Sequence, residues 1–401
     1  MSDDKKGSPI KGIRILDLSR ILAGPYCSMI LSDLGAEVIK IEIPNRGDDT
    51  REYPPFIDGE SSYFLSVNRG KKSVTLNLKT EKGREVLYKL VKKSDVFLEN
   101  YRSGITESLG VDYDTIKKIN PKVVYCSISS FGRTGPYKNL PGYDLIIQGM
   151  GGLMSVTGEE GRPPVRINVG ITDIGAGMWA TIAILSALIA RDRTGEGQYI
   201  DISMLDCSVA WMSYMAGNYF VTGKVLPRMG SAHPSIVPYQ AFKTADDKYI
   251  LIAAGNDKLW GILCHGLGVD EWAKDPKYIT AENRVVNRDI LIPLLEAKFT
   301  ERNRDEWLEI LKSLGFPCGP VYDIDEIFKD PHILYRGMLV EIRHRKLGSI
   351  KQVASPLHFS DTLCNLIHSP PMLGEHTDEV LKTVAGYSDK EIKVLRMENV
   401  I

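Results

Sequence analysis

The most chemically suggestive residues lie in the stretch Asn168-Val-Gly-Ile-Thr-Asp173-Ile-Gly-Ala-Gly-Met-Trp179. An apolar, alanine-rich run, Ala180 to Ala190, follows it and ends at Arg191-Asp-Arg-Thr-Gly195. The run is long enough for a helix, and Gly195 suits the position just past a helix end. Asp173 is thereby expected at or beside the helix N-cap, where backbone N–H groups and the helix dipole favour an ionised carboxylate. Held in that form, it could act as a nucleophile toward an acyl group. The plainer reading is a cap with no chemistry, since aspartate is common there. Gly170, Gly175 and Gly177 are read as bare backbone around the carboxylate, through which a ligand could approach.

Other candidates are cations and acids at the ends of expected strands. Asn100-Tyr101-Arg102 directly follows a strand over Asp95 to Glu99, and a guanidinium just past a strand's carboxyl end suits a phosphate. A solvated surface arginine is the plainer alternative. Glu42 closes a second strand, where dinucleotide-binding proteins carry a ribose-binding acid, but the turn before it lacks G-x-G-x-x-G. The six cysteines are scattered without a CxxC pair, and the seven histidines lack HxxxH or HExxH spacing. Neither a metal nor a disulfide framework is expected, and the setting is read as a reducing cytoplasm.

The elements that must hold these residues alternate. Strands are expected over Ile13 to Leu18, Glu37 to Glu42, Ser73 to Asn77, Asp95 to Glu99, Val123 to Ser129 and Gln198 to Ser203. Helices are expected over Tyr26 to Leu34, with Pro25 at the first position, and over Glu81 to Lys93. Such a βαβ opening calls for a parallel sheet with covering helices. The loop Asn45 to Gly59 crosses a sheet end and suits binding groups. Met204 to Phe220 reads as one long helix. A hairpin of Ala241 to Thr244 and Tyr249 to Ala253, turned at Asp246-Asp247, opens a separate α+β unit. Asp330 to Ser360 shows few clear periods, and the tail is helical over Thr377 to Thr383 and Ser388 to Met397. At 401 residues two domains are expected. The boundaries are 1–203 with 350–401 for the large domain, 204–225 for a linker helix, 226–327 for the small domain and 328–349 for a return linker.

Fifty basic residues against 51 acidic ones set up no field for nucleic acid or an anionic membrane. The N-terminus, Met1-Ser-Asp-Asp-Lys-Lys, is polar with no apolar signal core behind it. The run Ile174 to Ala190 nears transmembrane length, yet its Gly, Ala, Ser and Thr fit a buried helix better.

Taken together, several stretches resemble the class III CoA-transferases, the family of formyl-CoA transferase, carnitine CoA-transferase and α-methylacyl-CoA racemase. They are Gly12 to Pro25, Leu34 to Glu42, Glu99-Asn-Tyr-Arg102, Pro141-Gly-Tyr-Asp144 and Arg193 to Asp201. His233-Pro234, Pro317-Cys-Gly-Pro-Val321 and Leu373 to Val380 continue the series in the same order. The resemblance implies an α/β fold: a Rossmann-like large domain made by both chain ends, a smaller inserted α+β domain, and an interlocked, ring-like homodimer. It implies a cytoplasmic enzyme that takes coenzyme A or acyl-CoA as substrate and holds no permanent cofactor, metal, nucleic acid or membrane. Asp173 falls where the family keeps its catalytic aspartate, which forms an aspartyl-acyl anhydride and then an aspartyl-CoA thioester.

Further roles follow from the same resemblance. Leu22, Ala23, Leu76, Lys79, Asn100, Tyr101 and Arg102 match CoA-binding positions. Tyr63, Tyr143 and His233 match or approach positions around the acyl group, although each also suits a structural role. Formyl-CoA transferase has a glutamine at the Leu22 position and a glycine-rich lid that 229–240 does not reproduce, so formyl or oxalyl specificity is not implied. The racemases place a histidine where Tyr143 stands, and a tyrosine with a pKa of ~10 is a poor base at neutral pH. This favours transfer over racemisation, with a non-catalytic CoA-binding protein as the third reading. A dicarboxylate substrate would require a second cation near Asp173, for which Arg51, Arg166 and Arg228 are the candidates.

Overall fold

The computed structural model describes residues 7–364 and 368–401, so the polar segment Met1 to Lys6 lies outside the described residues. Six parallel strands form the main sheet: β1 (Arg14–Asp17), β2 (Glu37–Glu42), β3 (Lys71–Thr75), β4 (Val96–Glu99), β5 (Val124–Ser129) and β6 (Tyr199–Ser203). Their spatial order is β3-β2-β1-β4-β5-β6. Ile15 of β1 lies beside Val38 of β2 on one side and Val96 of β4 on the other. The order reverses between β1 and β4, which makes the carboxyl ends of those two strands the place for a ligand.

Alternation along the strands splits the core into two layers. Leu16, Ile39, Val74 and Phe97 face one side with Val86, Leu87, Leu90 and Val91 of helix α2 (Glu81–Val91) and with Val380, Leu381, Ile392 and Leu395 of the tail. Ile15, Val38, Val96, Val124 and Cys126 face the other side. There they meet α1 (Ala23–Asp33) and α4 (Ile171–Thr194), α3 (Asp144–Met150) lying earlier in the chain than α4. With both faces covered, β1 to β5 are mostly buried, whereas the edge strand β6 is largely exposed or half-buried.

Two compact units account for the chain. One comprises 7–153, 166–223 and 332–401, and the other 154–165 and 224–331. Residues 154–165, taken from the sequence as part of the large domain, pack with the second unit, where Gly230 N–H donates to the Gly158 carbonyl at 2.8 Å. The single helix expected from Met204 is two, α5 (Met204–Ala210) and α6 (Ser213–Thr222), broken where Ser213 takes φ 36°. Both belong to the first unit. Within Asp330 to Ser360 lies an unexpected antiparallel hairpin, Leu339–His344 with Gly348–Val353, seated on Leu65 through Ile342 and Ile350. Helix α1 begins two residues earlier than expected, so Pro25 is third, still within the turn that lacks N–H partners. The second unit has a three-stranded antiparallel sheet around Tyr249–Ala253 and a core of Phe242, Trp260, Leu291 and Trp307.

Candidate active site

A cavity of about 1580 Å³ opens at the carboxyl ends of the parallel strands, all of its lining drawn from the first unit. It is larger than the usual small-molecule pocket of roughly 300–1,000 Å³, so it has room for an extended ligand. The turn after β1 supplies Leu22 and Ala23, the segment after β3 Leu76 and Lys79, and the segment after β4 Asn100, Tyr101 and Arg102. Tyr143 and Asp173 close the same cavity. Nine of the residues expected from the sequence are thus brought together. Their availability differs. Leu76 is 1 % exposed and packs in the core, whereas Lys79 and Arg102 are exposed. Asn100 is already engaged, its side chain taking the Arg20 N–H at 2.8 Å and donating to the Arg20 carbonyl at 2.7 Å.

Asp173 is the third residue of α4, and Gly170 is its N-cap. The capping role expected of Asp173 belongs to Asp144. That side chain, on α3, accepts from Thr172 N–H at 2.9 Å and from the Thr172 hydroxyl at 2.8 Å. Gln148 donates to its other oxygen at 2.7 Å and also ties Ile167 through both backbone groups. The helix end therefore stabilises Asp144, and no described group donates a hydrogen bond to the Asp173 carboxylate. Burial, reinforced by the nearby charge of Asp144, pushes the Asp173 carboxyl up to about 7. The ionised form expected from the helix terminus is thus opposed, not favoured. In compensation, a more basic and poorly hydrated carboxylate is a stronger nucleophile where it is ionised.

The glycines around Asp173 also act otherwise than expected. A Cβ on Gly177 would fall 2.7 Å from the Ala23 carbonyl oxygen, and one on Gly175 would fall 2.0 Å from the Trp211 ring. Both serve helix packing. Only Gly170 borders the carboxylate, with Asp173 Oδ2 3.7 Å and Leu22 Cδ2 2.9 Å from where its Cβ would be.

Tyr63 lies outside the cavity lining but within the field of Asp173. Burial and then the Asp173 charge push its hydroxyl up to about 12, so it is protonated at neutral pH. Its ring meets Tyr53 edge-on at 5.7 Å. His233 is in the second unit and not in this lining. Its Nδ1 accepts from Ser235 N–H at 3.1 Å, and its ring packs on Tyr239. Glu42 cannot serve as a ribose acid. It is 3 % exposed, held by Arg51 through two contacts of 2.7 Å and by the Ser73 hydroxyl at 2.6 Å.

Comparison with known proteins agrees with this architecture. The profile of CoA-transferase family III matches residues 10–377. Succinyl-CoA:glutarate CoA-transferase of Mus musculus is 43 % identical over 401 residues, which is all of this chain and 92 % of that protein. Succinate--glutarate CoA-transferase of Agrobacterium fabrum is 39 % identical, over 93 % of this chain and 95 % of its own. The crystal structure of a CAIB/BAIF family protein from Brucella suis superposes with a TM-score of 0.86 at 42 % identity, covering 94 % of this chain and all of the other. The chain belongs to CoA-transferase family III, and it is a CoA-transferase.

Proposed function

We propose that this enzyme moves CoA between short dicarboxylic acids through covalent intermediates on Asp173. The observation that carries the proposal is the Asp173 carboxylate itself, half-buried on the wall of the cavity, without a hydrogen-bond donor and poised to titrate near 7. In the first step an Asp173 oxygen attacks the thioester carbonyl of the donor. The C–S bond breaks, CoA leaves as thiolate, and a mixed anhydride forms. The thiolate then attacks the aspartyl carbonyl, releasing the donor carboxylate and leaving an aspartyl-CoA thioester. An acceptor carboxylate attacks that thioester, and the thiolate, freed again, takes the acceptor acyl group and restores Asp173. One thioester is exchanged for another, so the cycle consumes no external energy, and its chief demand is that water be kept from the anhydride. Exposed Lys79 and Arg102, with Arg46, Lys138 and Arg396 on the same cavity, suit the phosphates of CoA.

The dicarboxylate assignment draws on the names of the relatives and on three arginines. Arg51 is fully engaged by Glu42, and Arg228 by the backbone carbonyls of Glu159 and Arg162. Arg166 is exposed, forms no ion pair among the described residues, and precedes the Ile167 that Gln148 fixes. None of the three lines the cavity, and Arg166, the one whose side chain has no partner among the described residues, is the guanidinium proposed for the distal carboxylate. The enzyme is further proposed to be a homodimer, supported by the exposed apolar side chains on α4 and α6.

Incubation of the enzyme with succinyl-CoA and glutarate in D₂O, followed by mass spectrometry of the thioesters, tests the whole reading. Glutaryl-CoA is expected, with its formation reduced by about 10³-fold or more in Asp173→Asn, a loss typical of a missing covalent nucleophile. Deuterium gained at the succinyl α-carbon without exchange of acids would instead show α-proton exchange, the chemistry of a racemase, and full activity in Asp173→Asn would remove the covalent mechanism.

A further inference from the structure

Beneath the turn between β1 and α1 lies a buried charged cluster that no step of the transfer uses. The side chains of Asp17, Lys40, Asp48 and Lys71 are all 0 % exposed. Lys40 Nζ lies 2.9 Å from Asp48 Oδ2, and Lys71 Nζ 3.5 Å from Asp17 Oδ2. Two acids face two lysines, with burial pushing the Lys71 ammonium down to about 7 against the pull of Asp17, and removing a partner from such a cluster leaves another charge uncompensated. Lys71 also donates to the Pro25 carbonyl at 2.8 Å and to Asn68 at 2.9 Å.

The Ser28 hydroxyl donates to Asp17 Oδ2 at 2.6 Å, and several of the cluster's other contacts go to the backbone of the turn. Asp17 Oδ1 accepts from Ser19 N–H at 2.8 Å, and Lys40 donates to the Ser19 carbonyl at 2.8 Å. Asn100 holds both backbone groups of Arg20. Asp48 Oδ1 accepts from Ile21 N–H at 3.2 Å, and the same oxygen takes Thr50 N–H at 2.9 Å and the Thr50 hydroxyl at 2.8 Å. Ile21 has φ 69°. A β-branched residue is an outlier in that region, and such a conformation persists only where its surroundings impose it. The residues that follow, Leu22 and Ala23, line the cavity and begin α1.

We propose that Asp48 is a positioning residue for CoA: by clamping the Ile21 N–H it holds the turn in its left-handed form, which aims the Leu22–Ala23 backbone into the cavity. A glycine-rich loop would reach the same end through glycine's freedom at positive φ. Here an isoleucine is forced into place by a buried carboxylate. The proposal rests on the reading that this cavity takes CoA.

Isothermal titration of CoA into the full-length chain separates the possibilities. Asp48→Ala is expected to weaken binding by about tenfold, the equivalent of one lost hydrogen bond to a charged group. Adding Ile21→Gly to that variant is expected to restore most of the affinity, because glycine adopts this φ without a clamp. Asp48→Asn, which retains an acceptor of the same reach, is expected to stay within about threefold of the parent. An alanine variant that binds like the parent would overturn the proposal, as would a loss that Ile21→Gly fails to recover. If the alanine variant does not fold, Asp48→Asn decides: affinity near the parent's supports the clamp, and a tenfold loss in folded protein assigns Asp48 to charge balance alone. A parent chain that binds no CoA overturns the cavity reading and this proposal with it, whereas tight parental binding with an unaffected alanine variant overturns this proposal alone.

Discussion

A carboxylate that titrates near neutrality makes stability and activity move in opposite directions with pH. The Asp173 carboxyl is pushed from 3.8 up to about 7 in the folded chain, by burial and then by Asp144. Between those values the folded state binds more protons than the unfolded one, so stability falls as pH rises from about 4 to about 7 and stays lowered above. Asp173→Asn removes that cost. It should stabilise the enzyme at pH 8 by up to about 4 kcal/mol and change little below pH 4. Thermal unfolding at the two pH values measures this directly. The proposed mechanism needs the ionised form, so kcat/KM for the acyl-CoA should climb about tenfold per pH unit below about 7 and level off above it. A profile flat between pH 5 and 8 would show that Asp173 is ionised throughout. Arg166 belongs to the same scale. Arg166→Ala should raise KM for a dicarboxylic acceptor about tenfold, with a monocarboxylic acceptor nearly unaffected, the worth of one charge-assisted pair. Equal effects on both acids would remove Arg166 from the distal carboxylate.

At the level of elements, what the sequence reveals depends on how local the cause is. Glu37 to Glu42 was legible as a strand because β-branched residues between turn signals mark it, and Gly195 was legible as a helix end because only its own φ of 77° is involved. Asp144 as the cap of α4 was not legible, since 28 residues separate it from Thr172 and only the fold brings them together. The missed hairpin has the same explanation: its buried apolar anchors, Ile342 and Ile350, are too few to set a period. Gly175 and Gly177 were read as room for a ligand, because a sequence does not say whether bare backbone faces a ligand or a neighbouring helix. The crossing of α1 and α4 settles that for Gly177, and it also sets the Leu22–Ala23 turn against the first turn of α4. Gly177→Ala should therefore destabilise the enzyme by about 1–3 kcal/mol, since backbone at 2.7 Å cannot give way as a side chain can. It should also lower kcat/KM by more than the loss of folded protein explains, as read by unfolding and kinetics on one preparation. Unchanged stability would mean that the two helices separate freely.

For the whole molecule, the open matter is what covers the outer face of the first unit. Helix α4 is long and apolar enough to cross a membrane by length and composition, and 44 % of its most apolar window is buried in the chain. The rest is an outward face with Met178, Trp179, Ile182 and Ile189. Helix α6 adds Tyr214, Tyr219, Phe220 and Val221, the last two 79 % and 88 % exposed. Apolar residues scattered singly need no partner, but large side chains repeated along two helices of one unit are what an interface exposes when it is opened. The net charge of −1 does nothing to keep two copies apart. A second copy is accordingly the proposed occupant, and an obligate pair of this kind would be expected to bury about 2,000 Å² or more. Sedimentation of the parent should give a dimer of about twice 44.7 kDa that persists on dilution to nanomolar concentrations. Ile182→Glu combined with Phe220→Glu should shift it toward monomer or insoluble chain, by placing charge in an apolar contact. A soluble parent that sediments as a monomer at every concentration would leave this face open and assign it to some other partner. A dimer untouched by both substitutions would place the interface elsewhere on the chain.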